Sequence, residues 1–155
     1  MIPDSYTAED VFYELSTIRD PEKTSCTLAD LDVVAQDRCS IDYHHHVKSS
    51  PAIGMDSGSL ARVSKPIGIV RVVLKPTVPH CSLMSLICLC VYAKLKDTLP
   101  PWMCDWKIDI KLVDGSHLQQ HELEKQVADK ERVAAALENR TLSKEIAKLI
   151  NADAD

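Results

Sequence analysis

The stretch from Ile67 to Leu95 leaves the chain the fewest choices. Ile67 to Leu74 (Ile-Gly-Ile-Val-Arg-Val-Val-Leu) is β-branched and mostly apolar, which predicts a central strand. The strand runs into Pro76-Thr77-Val78-Pro79-His80-Cys81-Ser82. Pro79 pushes Val78 toward extended geometry, so no helix can begin before His80. Leu83 to Leu95 is apolar almost all round, with Ser85, Tyr92 and Lys94 as its only polar groups. A helix of that composition is buried on most sides, under a sheet or against a second subunit. Strand, stiff loop and buried helix in succession imply a crossover connection to a parallel neighbour, and so a helix layer on a sheet.

The flanking segments supply the remaining elements. Thr7-Ala8-Glu9-Asp10 reads as a capping box with Asp in the place of Glu or Gln. Val11, Phe12, Leu15 and Ile18 then mark an amphipathic helix that ends near Arg19-Asp20, ahead of Pro21. Asp20-Pro21-Glu22-Lys23 is a polar turn, and Thr27 to Asp30 repeats the capping pattern over one turn. Short strands are expected at Leu31 to Val34 and through Ile41, Tyr43 and His45. From about Lys48 to Lys65 the chain turns to Ser, Gly, Ala and Pro, predicting a mobile loop within the domain. Trp106, Ile108, Ile110 and Leu112 alternate with Lys107, Asp109 and Lys111, the clearest strand signal. Asp114-Gly115 turns the chain, Ser116 with Gln119 forms a capping box, and Leu123, Val127, Ala134 and Leu137 carry an apolar stripe to Asn139. Thr141 caps a last helix with Leu142, Ile146 and Ile150 inward. The expected fold is α+β: one two-layer domain over residues 7–151, a small mixed sheet packed against helices, with the 48–65 loop inserted.

Chemistry-bearing residues are few. If Cys81 or Ser82 caps the buried helix, its free N–H groups and positive dipole end face the Cys81 sulfur. A thiol so placed has a lowered pKa and is a better nucleophile and metal ligand; the alternative is that Cys81 only packs, as a small hydrophobe. No two of the six cysteines form a C-x-x-C pair, so no zinc ribbon is signalled. His44 and His46 share a strand face, and His117 and His121 stand at i, i+4 on a helix start, without an evident third ligand in either case. Solvated histidines are the simpler reading. Asp129-Lys130-Glu131-Arg132 is a mixed-sign run, read as a wet helix face or as a docking surface that interrupts the apolar stripe. No G-x-G-x-x-G or Walker loop is present, and four glycines in 155 residues leave little for a phosphate-cradling loop.

Composition narrows the setting. A net charge of −5 disfavours binding to a nucleic-acid backbone. No apolar run reaches the ~20 residues that span a bilayer. The Met-Ile-Pro-Asp-Ser-Tyr start lacks the features of a signal peptide. Cytosol or nucleus is the expected compartment, where the thiols stay reduced.

Several of these segments occur in one order that is familiar. Ile18-Arg19-Asp20-Pro21-Glu22-Lys23, Thr27-Leu28 through Val33-Val34, Pro76 to Ser82, Gly115-Ser116-His117 and Asp129 to Asn139 resemble the eukaryotic cytosolic iron–sulfur assembly component-two, or MIP-eighteen, family. The likeness runs from about Glu9 to Ile150. It implies an α+β cluster-assembly-type domain acting as an adaptor without turnover of its own. It also implies a WD40-propeller partner, a HEAT-repeat adaptor in one branch, and iron–sulfur client apoproteins in cytoplasm and nucleus. Cys81 would be the reactive thiol of cluster transfer, supported by Thr77, Pro79, His80 and Ser82. No stably bound cofactor is implied, only a transient iron–sulfur cluster with Cys81 as its metal ligand. Asp20, Pro21, Glu22, Asp129, Lys130, Glu131 and Arg132 become expected docking residues. Some members form domain-swapped dimers, and the buried helix makes a homodimer an expectation here too. Two departures stand out: the segment between Val34 and Ile67 is longer than in most members, and Gly-Ser-His replaces the more usual Gly-Thr-His. A thiol-dependent enzyme using Cys81, and a structural module in which Cys81 only packs, are the competing readings.

Overall fold

The computed structural model describes residues 6–44, 67–79, 83–103 and 106–151. Three strands form a sheet in the order β1-β2-β3: β1 Cys39–His44, β2 Ile67–Leu74 and β3 Lys107–Leu112. β1 runs antiparallel to β2 with Ile41 opposite Val70, and β3 runs parallel to β2 with Ile110 opposite Val72. The sheet is therefore mixed, with the strand expected at its centre in that place. Five α-helices are described: α1 Ala8–Leu15, α2 Met84–Thr98, α3 Gln120–Ala128, α4 Lys130–Glu138 and α5 Arg140–Ile150. The α+β class follows directly.

Period-two burial sorts the sheet into two faces. Val70, Val72 and Leu74 of β2 and Ile108, Ile110 and Leu112 of β3 are buried. The alternate positions, Ile69, Arg71, Val73 and Asp109, are half-buried, and Lys107 and Lys111 are exposed. On that second face Arg71 bridges Asp42 of β1 and, at 3.3 Å, Asp109 of β3, so one guanidinium ties all three strands. The buried face meets α2, whose Met84, Ile87, Cys88, Cys90, Val91 and Leu95 are buried. Leu86, Leu89, Tyr92 and Ala93 are half-buried against the same core. Helices α1, α3 and α5 and strand β3 all pack on α2. Part of the cover for α2 therefore comes from elements of the same chain.

Several boundaries differ from the sequence expectation, each for a local reason. Helix α1 has the Thr7–Asp10 capping box but stops at Leu15, with Ser16 and Thr17 turning their hydroxyls onto the Tyr13 and Glu14 carbonyls. Leu31 to Val34 is not a strand. The Thr27–Asp30 box closes a tight turn, Asp32 takes a positive φ of 61°, and the Val33 N–H returns to Leu28 O at 2.8 Å. Val33 and Val34 are buried as loop residues. Helix α2 begins at Met84 with Leu83 in the cap position and no side-chain cap, so neither Cys81 nor Ser82 is the capping residue. It runs past Leu95 to Thr98, where Leu99 ahead of Pro100 ends it.

The stripe from Leu123 to Leu137 belongs to two helices. Asp129, with φ −87° and ψ 106°, ends α3 and starts α4, its carboxylate accepting from the Glu131 and Arg132 N–H groups. Val133 is the buried residue of α4, while Ala134 is exposed. Asn139 repeats the device between α4 and α5 and accepts from Leu142 N–H. Thr141 lies inside α5 and does not cap it. Ile146 and Leu149 are the buried residues of this last helix, with Leu142 and Ile150 half-buried beside them.

Candidate functional site

The loop that leaves β2 is built from both sides. Lys75 N–H donates to Val33 O at 3.0 Å, so the buried Val33-Val34 turn holds the loop's first residue. Val113 N–H donates to Leu74 O at 2.9 Å, which prolongs the β2–β3 pairing by one step. Pro76 is buried, and Thr77, Val78 and Pro79 are exposed. His80, Cys81 and Ser82 lie outside the described residues.

A second loop meets this one. After β3, Gly115 turns the chain at φ +75°, a conformation in which a side chain would be strained. The Ser116 N–H and hydroxyl both donate to Val113 O. Ser116 therefore closes a turn and does not cap α3, whose cap position is Gln119 without a side-chain bond. His117 precedes the helix and is 8% exposed, so it is a buried side chain and not a solvated one, and it does not share a helix face with His121. Its Nδ1 accepts from Gln119 N–H at 3.0 Å. Leu118 N–H then donates to Pro79 O at 2.8 Å. That bond joins the Pro76–Pro79 segment to the Gly115-Ser116-His117 segment, which are far apart in sequence. Val78 and Leu118, 39% and 79% exposed, are left at the surface of the junction.

The expected docking residues have local work as well. Asp20 is 5% exposed, and its carboxylate accepts from Glu22 and Lys23 N–H at 2.8 and 2.9 Å. It braces the polar turn around Pro21 from a buried position. Arg19 N–H donates to Leu149 O at 3.1 Å, pinning the end of α5 to this turn. Glu22, Lys130, Glu131 and Arg132 are exposed. Arg132 borders a cavity of about 130 Å³ lined chiefly by Leu89, Leu123, Val127, Val133 and Ala136. The Asp20 and Asp129 clusters are not brought together with the Pro79–Leu118 junction by any described hydrogen bond.

The cysteines separate by environment. Cys88 and Cys90 are 1% and 0% exposed in α2, and burial pushes each thiol up to about 12. Burial raises Cys39 to about 11, with nearby Arg38 opposing the shift. All three are held as neutral thiols, while Cys26 is half-buried. Among the described residues no three His, Cys, Asp or Glu side chains are grouped closely enough to hold a metal ion. No described helix is long and apolar enough to cross a membrane.

Comparison with known proteins bears on what the two joined loops belong to. No family model matches the chain. It is 38% identical to mouse cytosolic iron-sulfur assembly component 2B over 138 residues, covering 89% of this chain and 69% of that protein. It is 39% identical to Protein AE7 of Arabidopsis thaliana over 142 residues, which are 92% of this chain and 74% of the relative. It is 34% identical to MIP18 family protein galla-2 of Drosophila melanogaster, over 97% of this chain and 80% of that protein. The chain belongs to the MIP18 family. Drosophila MIP18 family protein galla-1 is 38% identical over 86% of this chain, which spans about half of that protein, 51% of its length. The mouse relative's name describes an assembly component. His117 is the residue that spacing misread. Four residues, Ser116 to Gln119, separate Gly115 from the start of α3, and His117 is the buried one among them.

Proposed function

We propose that this chain is an adaptor subunit of cytosolic iron–sulfur protein assembly that helps deliver clusters to cytosolic and nuclear apoproteins. The observation that carries the reading is its likeness, over 89% of its length, to a mouse protein named as a cytosolic iron-sulfur assembly component. The cluster is the cargo, and Cys81 is the thiol that meets it, since thiolate is the ligand iron–sulfur clusters prefer. Thr77, Pro79, His80 and Ser82 support that thiol. Two features agree with the assignment: Cys39, Cys88 and Cys90 are withdrawn into the core as neutral thiols, and the segment leading to Cys81 is tied down at Lys75 and Pro79. In this reading a WD40-propeller protein, a HEAT-repeat adaptor and the client apoproteins are the partners. The exposed Glu22, Lys130, Glu131 and Arg132 are then candidates for docking, and a homodimer is a further assembly state.

Replacing Cys81 with Ser tests the role. The exchange changes volume little, so the variant is expected to keep the wild-type circular dichroism and melting midpoint. Cells carrying only Cys81→Ser should lose most of the activity of their cytosolic iron–sulfur enzymes. Full client activity in such cells would overturn the transfer role of this thiol.

A further inference from the structure

Three helices leave a small apolar cavity between them. Each supplies a pair of side chains one turn apart: Ser85 and Leu89 from α2, Leu123 and Val127 from α3, Arg132 and Ala136 from α4. With Val133 they border about 130 Å³, and the exposed Ser85 and Arg132 stand at the mouth. The cavity depends on the break at Asp129, whose extended backbone makes α3 and α4 separate walls. Size and lining limit what can enter. Small-molecule sites run to about 300–1,000 Å³, so a nucleotide or a large cofactor does not fit. An apolar cavity of about 150 Å³ admits benzene, so one leucine-sized side chain does fit.

The charges beside the mouth narrow the occupant further. Arg132 also borders an adjoining polar hollow with Glu122, Lys125, Gln126 and Asp129. Among the described residues the ion pairs lie elsewhere, at Asp32, Asp42 and Asp109. Asp129 is already engaged, since its Oδ1 accepts from Glu131 and Arg132 N–H at 3.0 and 3.2 Å. Two cations, Arg132 and Lys125, therefore face one uncommitted carboxylate, Glu122. That imbalance suits an incoming carboxylate, which a guanidinium can hold through two parallel hydrogen bonds. We propose that the cavity is a socket for a segment of a partner protein, which inserts one leucine-sized side chain and sets an aspartate or glutamate against Arg132. The apolar side chain supplies most of the affinity, and the charge pair at the exposed rim supplies orientation.

The socket rests on the adaptor reading for the existence of a partner, but its test uses no iron–sulfur client, so the two can fail separately. The full chain with labelled methyl groups is titrated with the capped peptide acetyl-Gly-Asp-Leu-Asp-Gly-amide and followed by NMR. The Leu123, Val127 and Val133 methyl signals should shift to saturation, while those of Val11 and Val70, which do not line the cavity, stay in place. Alanine in place of the peptide's leucine should weaken binding about tenfold or more. Asparagine in place of both aspartates should weaken it at least about threefold, and Arg132→Glu should do the same to the original peptide. Ala136→Leu, which fills the cavity, should abolish the shifts without lowering the melting midpoint. Wild-type binding by a folded Ala136→Leu overturns the socket, as does equal binding of the leucine and alanine peptides. If Ala136→Leu does not fold, the alanine peptide and Arg132→Glu decide. Methyl signals that ignore the peptide overturn the proposal, and if they move with protein concentration instead, the occupant is a second copy of this chain.

Discussion

Gly68 shows how far one residue's identity can depend on a partner distant in sequence. A Cβ at this position would run into the Trp106 ring and the Asp42 carbonyl, both parts of neighbouring strands or their flanks. Trp106 is 3% exposed and lies over the start of β2, so the indole takes the space a side chain would need. Overpacking of this kind costs about 1–3 kcal/mol. Gly68→Ala is expected to lower the unfolding free energy by that amount, seen as a lower urea midpoint at unchanged slope. A midpoint equal to wild type would mean that the ring moves aside freely. In the sequence, Gly68 reads only as an interruption in a β-branched run, since nothing local announces the ring above it.

At the scale of elements, the C-terminal helices are governed by their junctions. The 123–137 stripe is continuous enough to read as one helix, yet Asp129 takes extended backbone and gives its carboxylate to two N–H groups of the next turn. A short polar side chain competes with the helix for those donors, and it wins where the break lets both new helices turn apolar faces inward. Val133 rather than Ala134 then reaches the core. Asn139 acts likewise at the start of α5. Removing a cap costs about 1 kcal/mol. Asp129→Ala and Asn139→Ala should each destabilise by that much in chemical denaturation. Thr141→Ala, the position at which a cap was expected from sequence, should stay within about 0.5 kcal/mol of wild type. A larger loss at Thr141 than at Asn139 would reverse the assignment of the cap.

For the whole molecule, the buried thiols couple folding to pH. Burial raises Cys88 and Cys90 from an ordinary 9.0 to about 12 and Cys39 to about 11. Between the unfolded and folded values the native state holds more protons than the unfolded chain, so stability must fall as pH rises. The contribution of these groups is complete below pH 9 and is lost progressively toward pH 11–12. Each group removes up to about 1.4 kcal/mol per pH unit in that window. Urea midpoints taken from pH 7 to 10.5 should be level at first and then decline above pH 9. Cys88→Ala combined with Cys90→Ala should start lower and decline less steeply. Equal slopes for the two proteins would show that these thiols are not what titrates.

Periodicity and turn chemistry alone determined the central strand Ile67–Leu74, the alternating strand at Lys107–Leu112, the buried helix between them and the Thr7 box. These are contests settled within a few residues: β-branching, a two-residue alternation, a proline, a reciprocal pair of side chain and backbone. What failed from sequence failed where a distant group decided. Leu31 to Val34 has strand composition, but the Lys75 backbone takes Val33 O and the Leu28 carbonyl takes Val33 N–H, so the segment becomes a buried turn. His117 stands at helical spacing from His121, but Gly115 and the hold of Leu118 on Pro79 keep it ahead of the helix and bury it. The motif residues were legible as segments in order along the chain. That two of them share a hydrogen bond was decided by the parallel pairing of β2 with β3, which brings the ends of both strands, and the loops that follow them, to the same side of the sheet.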